Sequence, residues 1–172
     1  MQTDIKREYD AALPGNVAVL PSFRGSAEVM SCRAATDIYP GDAVKLVDGT
    51  DTSISPMLDA DDASVAYGIA TRSHSNFPFT PQITAGNAES PVTKNSTQGV
   101  VINGPIWVKL AASANPKIGD LAIPTERNIN GSMQWAVATA GQSRFVFAGV
   151  RQNGGVAIVR VESGALLGEA VV

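Results

Sequence analysis

An all-β fold, a single small β-barrel or sandwich with an extended N-terminal arm, is what this chain of 172 residues predicts. Three observations carry that expectation. Apolar and polar residues alternate with period two in several short segments, the mark of strands with two unlike faces. Glycine-containing turns separate those segments, and no amphipathic helical pattern of about ten residues competes with them. Finally, one turn-and-strand unit is written twice: Tyr39-Pro40-Gly41-Asp42-Ala43-Val44 leads to Tyr67-Gly68-Ile69-Ala70, and Lys117-Ile118-Gly119-Asp120-Leu121-Ala122 leads to Phe147-Ala148-Gly149-Val150. The spacing from Gly41 to Gly68 is 27 residues and from Gly119 to Gly149 is 30, so the echo reads as one β-unit used twice.

In chain order, residues 1–25 read as an arm or strap and residues 26–172 as a β-barrel domain with a long loop at 71–99. Residues 4–10 are mostly charged and suit one or two helical turns, stopped by Pro14-Gly15. The apolar run that follows is bracketed by Pro14 and Pro21, which permits a short edge strand or an extended strap. Fully extended, about 25 residues reach roughly 80 Å, enough to cross onto a neighbouring subunit; the alternative is a terminus packed on its own domain. Val17, Val19, Leu20 and Phe23 are its candidate partner-contact residues.

Strands are expected at 44–47, 65–70, 99–102, 106–110, 121–123, 133–137, 145–150 and 156–161. Asp48-Gly49, Asn103-Gly104-Pro105, Asn130-Gly131 and Asn153-Gly154-Gly155 supply the residues that tolerate positive φ in tight hairpins. Short strands at this spacing mean a sandwich or small barrel, and the two Gly-Asp units read as related hairpin elements of one closed sheet. The 71–99 loop carries Phe77-Pro78-Phe79-Thr80-Pro81, a stiff apolar knuckle. Phe77 and Phe79 either dock in a partner or cap the open end of their own barrel.

Composition narrows the function. A net charge of −3 with 13 scattered Lys and Arg argues against a nucleic-acid clamp. Charged residues make up 17% of the chain, against about 25% in typical domains, which suits a surface partly covered by partners. Cys32 is the single cysteine, so no internal disulfide can form, and it reads as a small buried hydrophobe. The first residues lack the apolar core of a signal peptide and no run of about 18 apolar residues occurs, so no membrane partner is expected and synthesis in the cytoplasm is.

Groups for catalysis are sparse. His74 is the only histidine, which leaves no zinc site of His/Cys type and no nucleophile-elbow triad. Asp59, Asp61 and Asp62 lack the EF-hand pattern and read as a solvated turn, and Gly154-Gly155 is not followed by the Lys of a phosphate loop. No catalytic residue, metal site or cofactor is assigned. Trp107 and Trp135 could form a sugar-stacking platform, giving an alternative function as a carbohydrate-binding β-domain on a phage or cell surface, but both sit on alternating strands that favour packing.

Several segments together resemble a known family: Pro40-Gly41-Asp42-Ala43-Val44-Lys45-Leu46, Val65-Ala66-Tyr67-Gly68-Ile69-Ala70, Gly99-Val100-Val101-Ile102, Gly104-Pro105-Ile106-Trp107-Val108, Ile118-Gly119-Asp120 and Ala148-Gly149-Val150. Over residues 27–162 the chain is similar to the capsid cement (decoration) proteins of tailed bacteriophages. The resemblance implies a β-barrel or β-tulip-like protein without enzymatic activity. It would sit on the outer surface of the expanded head, bind the major capsid protein and other copies of itself as a dimer or trimer, the trimer favoured, and stabilise the head by bridging subunits.

Overall fold

A computed structural model describes residues 13–20, 26–57, 65–72, 91–127, 133–139, 143–151 and 155–162. Among them run nine strands: β1 (Glu28–Ala34), β2 (Ala43–Leu46), β3 (Ser53–Pro56), β4 (Ala66–Ala70), β5 (Thr97–Leu110), β6 (Ala122–Arg127), β7 (Met133–Val137), β8 (Phe145–Arg151) and β9 (Val156–Val161). The described residues contain no α-helix. The all-β expectation is met.

The first five strands close a barrel. β1 lies parallel to β3, β3 antiparallel to β2, β2 to β4, β4 to β5, and β5 returns to β1. Its interior is filled by Cys32, Ala34, Ile38, Val44, Ile54, Ala70, Val92 and Val100. β3 was not foreseen: Ser-Ile-Ser-Pro shows too little apolar alternation, and tertiary pairing on both of its edges makes it a strand.

The second half of β5 then begins the same series of pairings again. β5 lies parallel to β7, β7 antiparallel to β6, and β8 antiparallel to β9, which returns to β5. A single antiparallel bridge, Leu121 to Val146, joins the β6 side to β8. Registers correspond as well as order. Arg33 and Ala34 face Ser53 and Ile54 as Lys109 and Leu110 face Gln134 and Trp135. Met57 N–H donates to the Ala43 carbonyl at 2.9 Å, and Ala138 N–H donates to the Leu121 carbonyl at the same distance. The doubled Gly-Asp unit therefore heads two five-stranded rings that share β5. A second cluster, with Trp135, Phe145, Phe147, Ile106 and Val159 fully buried, fills the later ring and the junction. Each such large apolar side chain contributes roughly 1.5–3 kcal/mol on burial.

Two details of the sequence reading need correction. Asn103-Gly104-Pro105 is not a hairpin turn, because β5 runs unbroken from Thr97 to Leu110 through it. Gly104 takes a φ of 119° where the strand leaves β1 and β4 for β9, a conformation that glycine allows. The second correction concerns the end of the repeat. Ala70 N–H donates to the Asp42 carbonyl and Phe147 N–H to that of Asp120, which makes Phe147 the counterpart of Ala70. Gly149 thus falls beyond the position equivalent to Gly68, and the shared aromatic-glycine pairing of residue types is not a structural correspondence. Gly68 itself is required: a Cβ there would overlap the Val101 carbonyl oxygen.

Candidate interaction surface

The first Gly-Asp turn joins the two rings. Pro40 and Gly41, the latter at φ 89°, occupy the central positions of a type II turn closed by the Asp42 N–H on the Tyr39 carbonyl at 3.1 Å. The Asp42 carboxylate is fully buried. Its Oδ2 accepts the Tyr39 N–H at 2.9 Å and its Oδ1 accepts the Met133 N–H, at the start of β7, at 2.8 Å. Two residues further along the same strand, the Trp135 indole Nε1–H donates to the Gly41 carbonyl at 3.0 Å, and its ring meets Phe145 edge-on at 5.0 Å. Trp135 is thus a core residue whose polar edge is satisfied, and the two tryptophans do not form a sugar platform.

Next to this turn lies the strap. Gly15 N–H donates to the Trp107 carbonyl (2.8 Å), Trp107 N–H to the Asn16 carbonyl (2.9 Å) and Ala18 N–H to the Pro105 carbonyl (2.9 Å). Val17 stands opposite Ile106 in an antiparallel bridge. The segment fills the gap on one edge of β5 between β4, which pairs at Val100 and Val101, and β7, which pairs at Lys109 and Leu110. Pro105 has no N–H to give the strap, but its carbonyl still accepts the Ala18 N–H, so the strap is held here by that bond and by Trp107. Arg72 anchors the near end, with its N–H on the Gly15 carbonyl (2.7 Å) and its Nε–H on that of Pro14 (3.1 Å). Gly15 has φ 82° and lies against Pro40, so the strap also covers the first Gly-Asp turn.

This pairing decides which arm side chains reach solvent. Val19 is 92% exposed, Val17 is 45% exposed and Leu20 is partly buried. Phe23, Phe77 and Phe79 lie outside the described residues. Exposed apolar residues that the sequence reading did not single out are Leu13, Val29, Met30, Val65 and Ile118. Val29 and Met30 are adjacent on β1, where alternation would have hidden one of them; both lie on the part of β1 before Arg33 and Ala34, where its pairing with β3 begins.

Chemical groups are few on the described surface. Among the described residues no three His, Cys, Asp or Glu side chains come together as metal ligands. His74, Asp59, Asp61 and Asp62 lie outside them. Burial pushes the Cys32 thiol up from its ordinary pKa, an effect reduced by its hydrogen bond with Tyr67. Burial, together with Cys32, likewise raises the Tyr67 phenol. Both groups are neutral near pH 7, and neither is an activated nucleophile.

A paired β framework that exposes apolar side chains defines a structural, interaction-bearing class of protein. Within that class, the chain belongs to the phage structural cement proteins: the family described as "Structural cement protein (E217 gp24/Pam3 gp6)" matches residues 1–162, arm included. Membership gives it a structural role in the phage capsid. No curated protein sequence matches significantly. Among solved structures, a chain of "The capsid of Myoviridae Phage XM1" has the same fold, with a TM-score of 0.60 at 19% identity, covering 95% of this chain and 98% of that one.

Proposed function

We propose that this protein binds the outer surface of the expanded phage head and stabilises it by bridging major capsid protein subunits, together with other copies of itself. The observation that carries the reading is Val19, an aliphatic side chain 92% exposed on a strap whose backbone is fixed to β5 at Ala18, one residue earlier. A rigidly presented apolar residue suits docking, because little conformational freedom is lost when it is covered. Many modest contacts repeated over a shell then add through multivalency. The role is mechanical rather than enzymatic, and the virion is where the protein acts.

The test is to mix purified protein with undecorated expanded heads. The protein is expected to pellet with the heads and raise their rupture temperature, and absence of co-sedimentation would sink the proposal. Deleting residues 1–25 is a poor test of attachment, since it also strips Gly15 to Ala18 from β5. Val19→Asp is the cleaner change.

A further inference from the structure

The strap opens on a turn of its own. Pro14 and Gly15, the latter at φ 82°, take the central positions of a type II turn closed by the Asn16 N–H on the Leu13 carbonyl at 3.1 Å. This turn and the Pro40-Gly41 turn pack into each other. A Cβ on Gly15 would come within 2.6 Å of the Pro40 Cβ and 2.8 Å of the Arg72 amide nitrogen, and a Cβ on Gly41 would come within 3.2 Å of the Pro14 Cβ. Each glycine thus makes room for the proline of the other turn. The second Gly-Asp turn has no such arrangement, since the space around Gly119 is open.

Beyond the turn the strap is bonded on both sides. Gly15 gives its N–H to Trp107 in the second ring and receives on its carbonyl the N–H of Arg72, just past β4 of the first, so a single residue is tied to both rings. Asn16 and Ala18 complete the pairing with β5 at Trp107 and Pro105. The side chains that this segment buries, Pro14 and Ala18, are small, whereas the strands beneath it are fixed by fully buried Ile106 and Val159. A segment held mainly by backbone bonds, with Val17 and Val19 exposed, belongs to the low end of the range of local opening free energies.

We propose that the strap is a latch that opens and closes as one unit, and that only the closed latch presents Val19 for docking to the shell. The second half of this rests on the reading of Val19 given above. When the latch is closed, the Ala18 bond to Pro105 fixes the backbone directly before Val19; when it is open, Val19 sits on an unpaired arm. Docking at Val19 then favours closure, and by linkage whatever favours closure tightens docking. The apparent dissociation constant is the closed-state value divided by the closed fraction. The reciprocal packing of the two Pro-Gly turns sets that fraction, so attachment is tuned at a place that does not itself touch the shell.

Amide hydrogen exchange on the full chain, read by NMR, tests the unit. The N–H groups of Gly15, Ala18, Trp107 and Arg72 lie on three separate segments, yet each bond has the strap at one end. They are expected to share one opening constant, orders of magnitude larger than that of Val108, whose N–H is directed by strand alternation to β9 instead of the strap. Unrelated opening constants at the four positions, or values equal to that of Val108, would overturn the latch. Gly15→Val is expected to hold it open: Trp107 and Arg72 lose protection together, Val108 keeps its own, and binding to undecorated heads weakens on the order of tenfold with Val19 intact. If that chain does not fold, Ala18→Pro, which removes the N–H bonded to Pro105, takes its place with the same pattern expected. An open latch that binds heads as the wild type does would refute the coupling. Failure of the wild type to bind heads, with the shared opening constant intact, would refute the capsid reading and leave the latch standing.

Discussion

At the first Gly-Asp turn a buried carboxylate takes N–H groups from Tyr39 and from Met133 of the other ring, while the strap and Trp135 cover the turn from outside. At the second, Asp120 Oδ2 accepts the Lys117 N–H at 2.7 Å in the same local geometry, but Ile118, the counterpart of Pro40, is 74% exposed and Gly119 has open space around it. The Gly41 and Gly119 N–H groups even make equivalent bonds, to the Ala70 and Phe147 carbonyls, both at 2.8 Å. A turn sequence thus specifies a turn, while its surroundings decide whether it becomes a joint between rings or a patch of surface. The carboxylate is the clearest case, since one oxygen serves the turn in both copies and the other serves the joint in the first.

Substitutions should separate the two turns. The largest effect is expected for Trp135→Ala, which empties the junction core and removes the bond to Gly41; a loss of about 3–5 kcal/mol in urea unfolding is predicted, against about 0.5 kcal/mol or less for the exposed Ile118→Ala. Asp42→Ala leaves two N–H groups without their acceptor, one of them in a buried bond, and should cost about 2–4 kcal/mol, whereas Asp120→Ala should cost about 1 kcal/mol. Equal losses from the two aspartates would erase the distinction. Val19→Asp should leave the unfolding midpoint unchanged and weaken attachment to heads on the order of tenfold, measured by co-sedimentation.

The smallest effect concerns the first ring alone. The Cys32 thiol and Tyr67 phenol are both held above their ordinary pKa values, chiefly by burial. In the folded protein they keep protons that the unfolded chain releases, so their contribution to stability is complete below the ordinary thiol pKa, about 8.5, and declines as pH rises above it. A urea midpoint that falls between pH 8 and 11, and falls less in Cys32→Ala, is the expected outcome; a midpoint independent of pH would contradict it.

Much of the fold was legible because it is local. Met133–Val137 and Val156–Val161 match the expected strands to the residue, since clean alternation bounded by turns leaves little choice. The doubled Gly-Asp turn was legible for the same reason, as glycine at positive φ and aspartate capping its own turn are written within four residues. What escaped depends on pairing at a distance. Gly104-Pro105 looks like a turn and becomes mid-strand because β9 and the strap hold both edges of β5. Asp42 looks like Asp120 until Met133 arrives 91 residues later. Of the exposed apolar residues, Val17 and Val19 could be proposed from the prolines that hold the segment extended, but Val29 and Met30 could not, because their exposure depends on where the pairing of β1 with β3 begins.

Amide hydrogen exchange on the wild-type protein, read by NMR at Met133 and Lys117, tests the contrast between the two turns most directly. Each amide donates to a carboxylate of a Gly-Asp turn, so the local bond is the same in kind. The joint between rings predicts that Met133 exchanges only with global unfolding, while Lys117 exchanges through local opening, orders of magnitude faster. Comparable rates at the two positions would mean that the first turn is no more a joint than the second.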